Sequence, residues 1–209
     1  MKKSVYSLVL SDEIVDAIDL LAYKNGTSRS GMINRILANY VSYKTPEMRL
    51  GEIFKSIENI LCVGDEFQIL APPSDTMLNL RSALAYKYNP TVRYSVQLYK
   101  TAGDEGIGEL RVSMRTQNES LIAGVQGFYR AWVEIEKEYL GDIEYKIERD
   151  RFFRKIYYKR EDGIPADKII SDYIKVFDKA MKEYFRRIDN VEDAKAAVRK
   201  IYADSFVRG

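Results

Sequence analysis

Ser4-Val5-Tyr6-Ser7-Leu8-Val9-Leu10 runs into Ser11-Asp12-Glu13-Ile14 and, after Asn25-Gly26, into Thr27-Ser28-Arg29-Ser30-Gly31-Met32-Ile33. From Val5 to Leu10 the chain alternates, with Tyr6, Leu8 and Leu10 on one face and Val5, Ser7 and Val9 on the other, the period of a strand. Ser11 can cap a helix, and Asp12 and Glu13 suit the positive end of its dipole. Ile14, Val15, Ile18, Leu21 and Ala22 then recur at helical spacing. Asn25-Gly26 ends that helix, because glycine accepts the left-handed conformation of a C-cap. Thr27 or Ser28 caps a second helix that carries Met32, Ile33, Ile36, Leu37, Tyr40 and Val41 on its apolar side, and Thr45-Pro46 is expected to close it.

One strand and two short amphipathic helices do not close a core by themselves. A segment of about 45 residues lies near the lower limit for a free-standing domain. A single strand also leaves its ladder hydrogen bonds without a neighbour. A second copy removes both difficulties: Val5–Leu10 pairs antiparallel with its twin, and four helices close beneath the ribbon. The expectation is an obligate homodimer whose stability depends on protein concentration.

The motifs quoted above make residues 2–44 resemble the ribbon-helix-helix group of DNA-binding proteins, the MetJ/Arc/CopG family. The resemblance implies a cytoplasmic, CopG-like transcription regulator, a repressor in kind, that binds double-stranded DNA. In that mode the paired strands enter the major groove, where base edges carry a distinct donor and acceptor code. The base-facing residues would be Lys3, Val5, Ser7 and Val9. The start of the second helix would anchor phosphates through Ser28, Arg29 and Ser30, with Lys2 adding charge at the end of the ribbon. Nickel-sensing relatives bind metal through histidines of a second domain, and this chain has no histidine, so that role is not carried over. The other reading of residues 1–45 is a dimerisation module with a solvated ribbon.

Composition narrows the rest. The 209 residues hold 33 Lys and Arg against 31 Asp and Glu, a net charge of +2. The lack of histidine excludes imidazole bases and imidazole metal ligands. Cys62 is the one cysteine, so no disulfide closes within a chain, which fits a reducing cytoplasm. An apolar content of 46% supports a packed core. No apolar run approaches the ~18 residues of a membrane span, and the start of the chain does not resemble a signal peptide. No catalytic pair, cofactor motif or metal cluster emerges, and the expectation is a protein that is not an enzyme. The loop Lys100–Gly108 contains glycines but lacks the lysine–hydroxyl pair of a phosphate loop.

Residues 46–65 read as a connecting helix with Leu50, Ile53, Phe54, Ile57, Ile60 and Leu61 as its stripe, and Cys62 beside it as a small buried group. Residues 66–209 read as an α+β domain for oligomerisation, partner binding or effector sensing. Phe67, Ile69 and Ala71 begin it. Alternating stretches follow over Leu78–Tyr88, Val92–Leu98 and Leu110–Met114, an antiparallel meander with one wet face. A long helix over 121–140 comes next, then a strand region from Ile143 to Tyr158 with a bulge near Asp150. A helix from Pro165 and a last one capped by Asn190 complete the chain. The expected fold class is α+β: a ribbon-helix-helix intertwined dimer followed by a meander sheet packed with helices.

On the wet face Arg81, Arg93, Arg111 and Arg115 are expected to project together, with Asn79, Gln97 and Ser113 between them. Two readings stand: a second surface for nucleic acid or an anionic ligand, or a solvated face whose arginines pair with carboxylates. The stretch Arg149–Arg160 interleaves basic residues with Phe152, Phe153, Tyr157 and Tyr158, a pattern of single-strand binders and equally of core strands. The leading expectation for function is a site-specific DNA-binding regulator. The alternative is a plasmid-maintenance or antitoxin-like interaction protein whose C-terminal domain grips a protein or an anionic ligand.

Overall fold

Period-two alternation along Val92–Leu98 and Leu110–Met114 requires a sheet with one buried face. The computed structural model, which describes residues 4–103, 106–141, 143–158 and 163–206, is built around such a sheet. Its elements in chain order are helices α1 (Asp12–Lys24), α2 (Arg29–Tyr40) and α3 (Pro46–Leu61), then strands β1 (Gln68–Ala71), β2 (Met77–Ala83), β3 (Thr91–Gly103) and β4 (Gly106–Met114). Helix α4 (Glu119–Leu140), strands β5 (Tyr145–Glu148) and β6 (Arg151–Ile156), and helices α5 (Ala166–Arg186) and α6 (Val191–Phe206) follow. The protein is thus mixed α+β, with six helices and one six-stranded open sheet among the described residues.

All strand pairings are antiparallel, in the order β1-β2-β3-β4-β6-β5. Leu78, Leu80, Val92, Tyr94, Val96, Val112, Met114 and Phe152 turn to the inner face and are fully buried. Against them α3 brings Phe54 and Ile57, α4 brings Phe128 and Trp132, and α5 brings Phe177. The ring of Phe177 lies 5.0 Å from Trp132 and 5.1 Å from Phe128, edge-on to both, an arrangement that adds to plain burial. Helix α6 supplies Ala194, Val198 and Tyr202 to the same core. Strands β3 and β4 approach so closely at Gly108 that a Cβ there would run into the Gln97 carbonyl and come within 2.8 Å of Leu98.

The helices form where caps and apolar spacing place them. Ser28 accepts from the backbone N–H of Gly31, Thr45 from Met48, Asn118 from Leu121 and Asn190 from Asp193. Gly26 takes φ +59° at the turn after α1. No helix among the described residues is long and apolar enough to cross a membrane.

Four sequence-based expectations change. Thr45-Pro46 does not close the second helix. That helix ends at Tyr40, with Ser42 at φ +54°, and Thr45-Pro46 caps and opens α3 instead, since proline suits the first helical turn. Helix α3 is no mere connector, because Leu50, Phe54, Ile57 and Leu61 belong to the main core. The alternation over Leu78–Tyr88 stops at Ala83, where Ser82 takes a core position and the chain turns through Tyr88 and Asn89, both at positive φ. The region Ile143–Tyr158 is not one bulged strand. It is the β5–β6 hairpin, and the phase slip near Asp150 is its turn.

The expected first strand is not formed within a single chain. Residues 4–10 carry no helix and no ladder, and among the described residues no strand pairs with them. Helices α1 and α2 bury Ile18, Ala22, Met32 and Ala38, of which the first three form a small cluster, with Ile33 packed on it, separate from the main core.

Candidate nucleic-acid interface

Two surfaces carry the chemistry expected of nucleic-acid contacts. At the N-terminus, Val5 and Val9 are 99% and 101% exposed, whereas Leu8 and Leu10 are 61% and 38% exposed. Tyr6 is 83% exposed as well, and all of residues 4–10 are exposed, so cover within the segment rises only at Leu8 and Leu10, while Val5 and Val9 stand fully in water. Lys2 and Lys3 lie outside the described residues.

The start of α2 is only partly available to an anion. The Ser28 hydroxyl accepts the Gly31 N–H at 3.1 Å, leaving its own proton to donate, and Ser30 is exposed. Arg29 is turned onto Asp19: its Nε donates to Oδ1 at 2.7 Å and its Nη2 to Oδ2 at 2.5 Å. This bidentate fork holds the Asp19 carboxyl below its usual range and raises Arg29 in turn. Both side chains are about half exposed, so the pair is a surface ion pair of small worth, and a phosphate would have to draw Arg29 from Asp19.

The second surface is the outer face of the sheet. Strand register sets Gln68, Arg81, Arg93, Ser113, Arg151 and Glu148 side by side across all six strands. The next row brings Asn79, Ser95, Arg111, Phe153 and Lys146 together. Arg81, Arg93 and Arg111 thus share one exposed face as expected, while Arg115 is exposed one residue past the end of β4. Arg81 donates to Gln68 Oε1 at 2.7 Å, and Ser95 donates to Asn79 at 2.7 Å. The Arg111 guanidinium lies 4.8 Å from the Phe153 ring centre, with Lys146 Nζ at 5.9 Å.

Sequence reasoning missed Arg151, Lys146 and Phe153 as members of this face, because it read the β5–β6 hairpin as one strand. Counting outward from a turn at Arg149-Asp150 would have found them. Phe152, by contrast, is core, and Lys159 and Arg160 lie outside the described residues.

A shallow cavity of about 220 Å³ opens on this face, with Arg111, Lys146, Phe153 and Lys155 in its lining beside the carboxylates Glu109 and Glu144. It is smaller than the ~300–1,000 Å³ of most small-molecule sites. Lys146, and behind it Arg151 and Arg111, keep the Glu148 carboxyl below its usual range, with Lys146 paired to it at 2.7 Å.

Two buried polar clusters lie on the opposite side of the sheet and are structural in their geometry. Arg154 meets Glu136 at 3.1 Å, Tyr173 donates to Glu136 at 3.0 Å, and Trp132 donates to Tyr173 at 2.7 Å. Burial opposes the Arg154 charge, but Tyr173 and Glu136 outweigh it and hold the guanidinium above its usual value. Asp178 accepts from Ser82 and from Tyr94 and pairs with Lys182. Burial, then the charge of Asp178, push the Tyr94 hydroxyl well above the usual range. Cys62 at the end of α3 is half-buried against the core, and burial raises its thiol, which makes a poor nucleophile.

Fold and surfaces together define an α+β protein with an apolar, exposed N-terminal segment and a basic sheet face. No model of a known protein family, no curated protein and no solved structure matches the chain.

Proposed function

We propose that the chain is a homodimeric, site-specific DNA-binding transcription regulator of the ribbon-helix-helix kind, whose paired N-terminal segments enter the major groove. The observation that carries the reading is where apolar surface is left exposed. Of the 23 exposed large apolar side chains among the described residues, 14 fall between Val5 and Tyr43. Such a concentration is a mark of an association surface. Within one chain α1 and α2 bury Ile18, Ala22, Met32 and Ala38, far short of a stable core. A second copy would cover Tyr6, Leu8 and Leu10 from the segment, Ile14 and Leu21 from α1, and Ile36, Leu37 and Tyr40 from α2.

Six residues in extended form span about 20 Å, and a two-stranded ribbon fits a groove about 12 Å wide. Ser7 then donates to or accepts from a base edge, and Val5 and Val9 meet thymine methyl groups. Ser28, Ser30 and the backbone N–H groups at the start of α2 take phosphates, with Arg29 joining when it exchanges Asp19 for phosphate.

The test starts from duplexes enriched from a random pool on the full-length protein, followed by fluorescence titration across a salt series. Arg29→Ala is expected to flatten the slope of log K against log salt by about 0.9 per contact, or about 2 for a dimer. Ser7→Ala is expected to narrow the preference for the enriched duplex over a random one several-fold. Unchanged affinity and slope in both variants would sink the proposed DNA mode.

A further inference from the structure

Residues 46–209 hold 27 basic and 27 acidic side chains, yet the outer sheet face is strongly one-sided. It gathers Arg81, Arg93, Arg111, Lys146, Arg151 and Lys155 against Glu109, Glu144 and Glu148, with Arg111 3.6 Å from Glu109, Lys146 2.7 Å from Glu148 and Arg151 3.8 Å from Asp150. Arg81 and Arg93 stand directly opposite one another, and among the described residues neither pairs with a carboxylate. Like charges in that position are destabilising, so folding alone does not account for them.

We propose that this open face binds single-stranded nucleic acid, with Arg81, Arg93, Arg111, Arg151 and Lys146 on phosphates and a base seated at Phe153. The proposal stands apart from the reading of the N-terminal segment and uses none of its residues.

Extent argues for a polyanion. The cations run from β2 to β5, four strand spacings of about 4.8 Å or roughly 19 Å, too wide for one small anion. Chemistry favours nucleic acid over an acidic peptide. Phe153 is half-buried with the Arg111 guanidinium over its ring, and both an aromatic ring and a guanidinium plane are surfaces on which bases stack. Asn79, Ser95 and Ser113 lie between the cations and offer the donors and acceptors that base edges use. Shape favours one strand over two, because an open sheet face presents rings to unstacked bases and inserts no element into a groove.

The experiment is fluorescence anisotropy with a labelled 20-mer oligothymidylate and the full-length protein, from about 50 mM salt upward. Five phosphate contacts give an expected slope of log K against log salt near −3.5, at about −0.7 per contact. Arg93→Ala with Arg111→Ala is expected to weaken binding about ten-fold or more and to flatten the slope by about 1.4. Phe153→Leu, which keeps the apolar contact and removes the ring, is expected to cost roughly ten-fold. Lys146→Glu, at the far edge, is expected to weaken binding independently. These side chains belong to the solvent face, so thermal melts of the variants should match the wild type. Failure of the wild-type protein to bind the oligonucleotide overturns the proposal, as does binding that survives in the double variant. Tighter binding of labelled polyglutamate also overturns it and assigns the face to an acidic protein segment.

Discussion

Glu136→Ala is expected to lower the unfolding free energy by about 3–5 kcal/mol, the cost of leaving a buried partner charge uncompensated. Glu136 is fully buried, and Arg154 is 11% exposed at its side chain. The carboxylate also accepts the Tyr173 hydroxyl, which in turn accepts the Trp132 indole N–H. Truncation therefore strands a guanidinium and unties an α4–α5 link at once. For a chain of this size each kcal/mol moves the midpoint by roughly 2–4 °C, so the melting temperature should fall by roughly 6–20 °C. Glu136→Leu combined with Arg154→Met tests the cause. If the loss comes from the uncompensated charge, the double apolar replacement should recover most of it. A Glu136→Ala protein that melts with the wild type would show that the pair contributes nothing.

Leu8→Glu is expected to shift the protein from dimer to monomer and to abolish duplex binding at micromolar concentration. In the proposed dimer two Leu8 side chains are withdrawn from water, each contributing about 2 kcal/mol. Their joint loss of about 4 kcal/mol weakens association roughly a thousand-fold, before any cost of burying carboxylates. Val9→Glu is the matched control: the sequence alternation puts Val9 on the other side of the segment, and it is fully exposed. It should leave sedimentation unchanged while weakening duplex binding through repulsion of phosphate. If Leu8→Glu and Val9→Glu behave alike in sedimentation, the two faces of the segment are not distinct.

Local signals were legible in the sequence where they are chemically complete. Ser28 and Asn190 mark helix starts through cap hydrogen bonds within three residues. The strict alternation of β3 and β4 sorts Arg93 and Arg111 from Tyr94 and Val112. What escaped was non-local or lacked its usual signal. The β5–β6 turn uses Arg149 and Asp150, where the aspartate is the one turn-forming residue and no glycine, proline or asparagine stands beside it, so Arg151, Lys146 and Phe153 lost their place on the outer face. Glu136 follows Tyr129 and Trp132 on the apolar stripe of α4, where nothing nearby in sequence reveals that Arg154 satisfies it. Ser82 sits in a strand core because Asp178, 96 residues away, accepts its hydroxyl. The N-terminal alternation was equally plain, but among the described residues no strand pairs with it.

The most direct test of the central claim is an isotope-filtered nuclear Overhauser experiment on a mixture of labelled and unlabelled full-length protein. Cross-chain contacts along residues 5–10, with Ser7 and Leu8 of one copy against the same segment of the other, are the predicted result. Contacts from those residues to their own chain alone would contradict it.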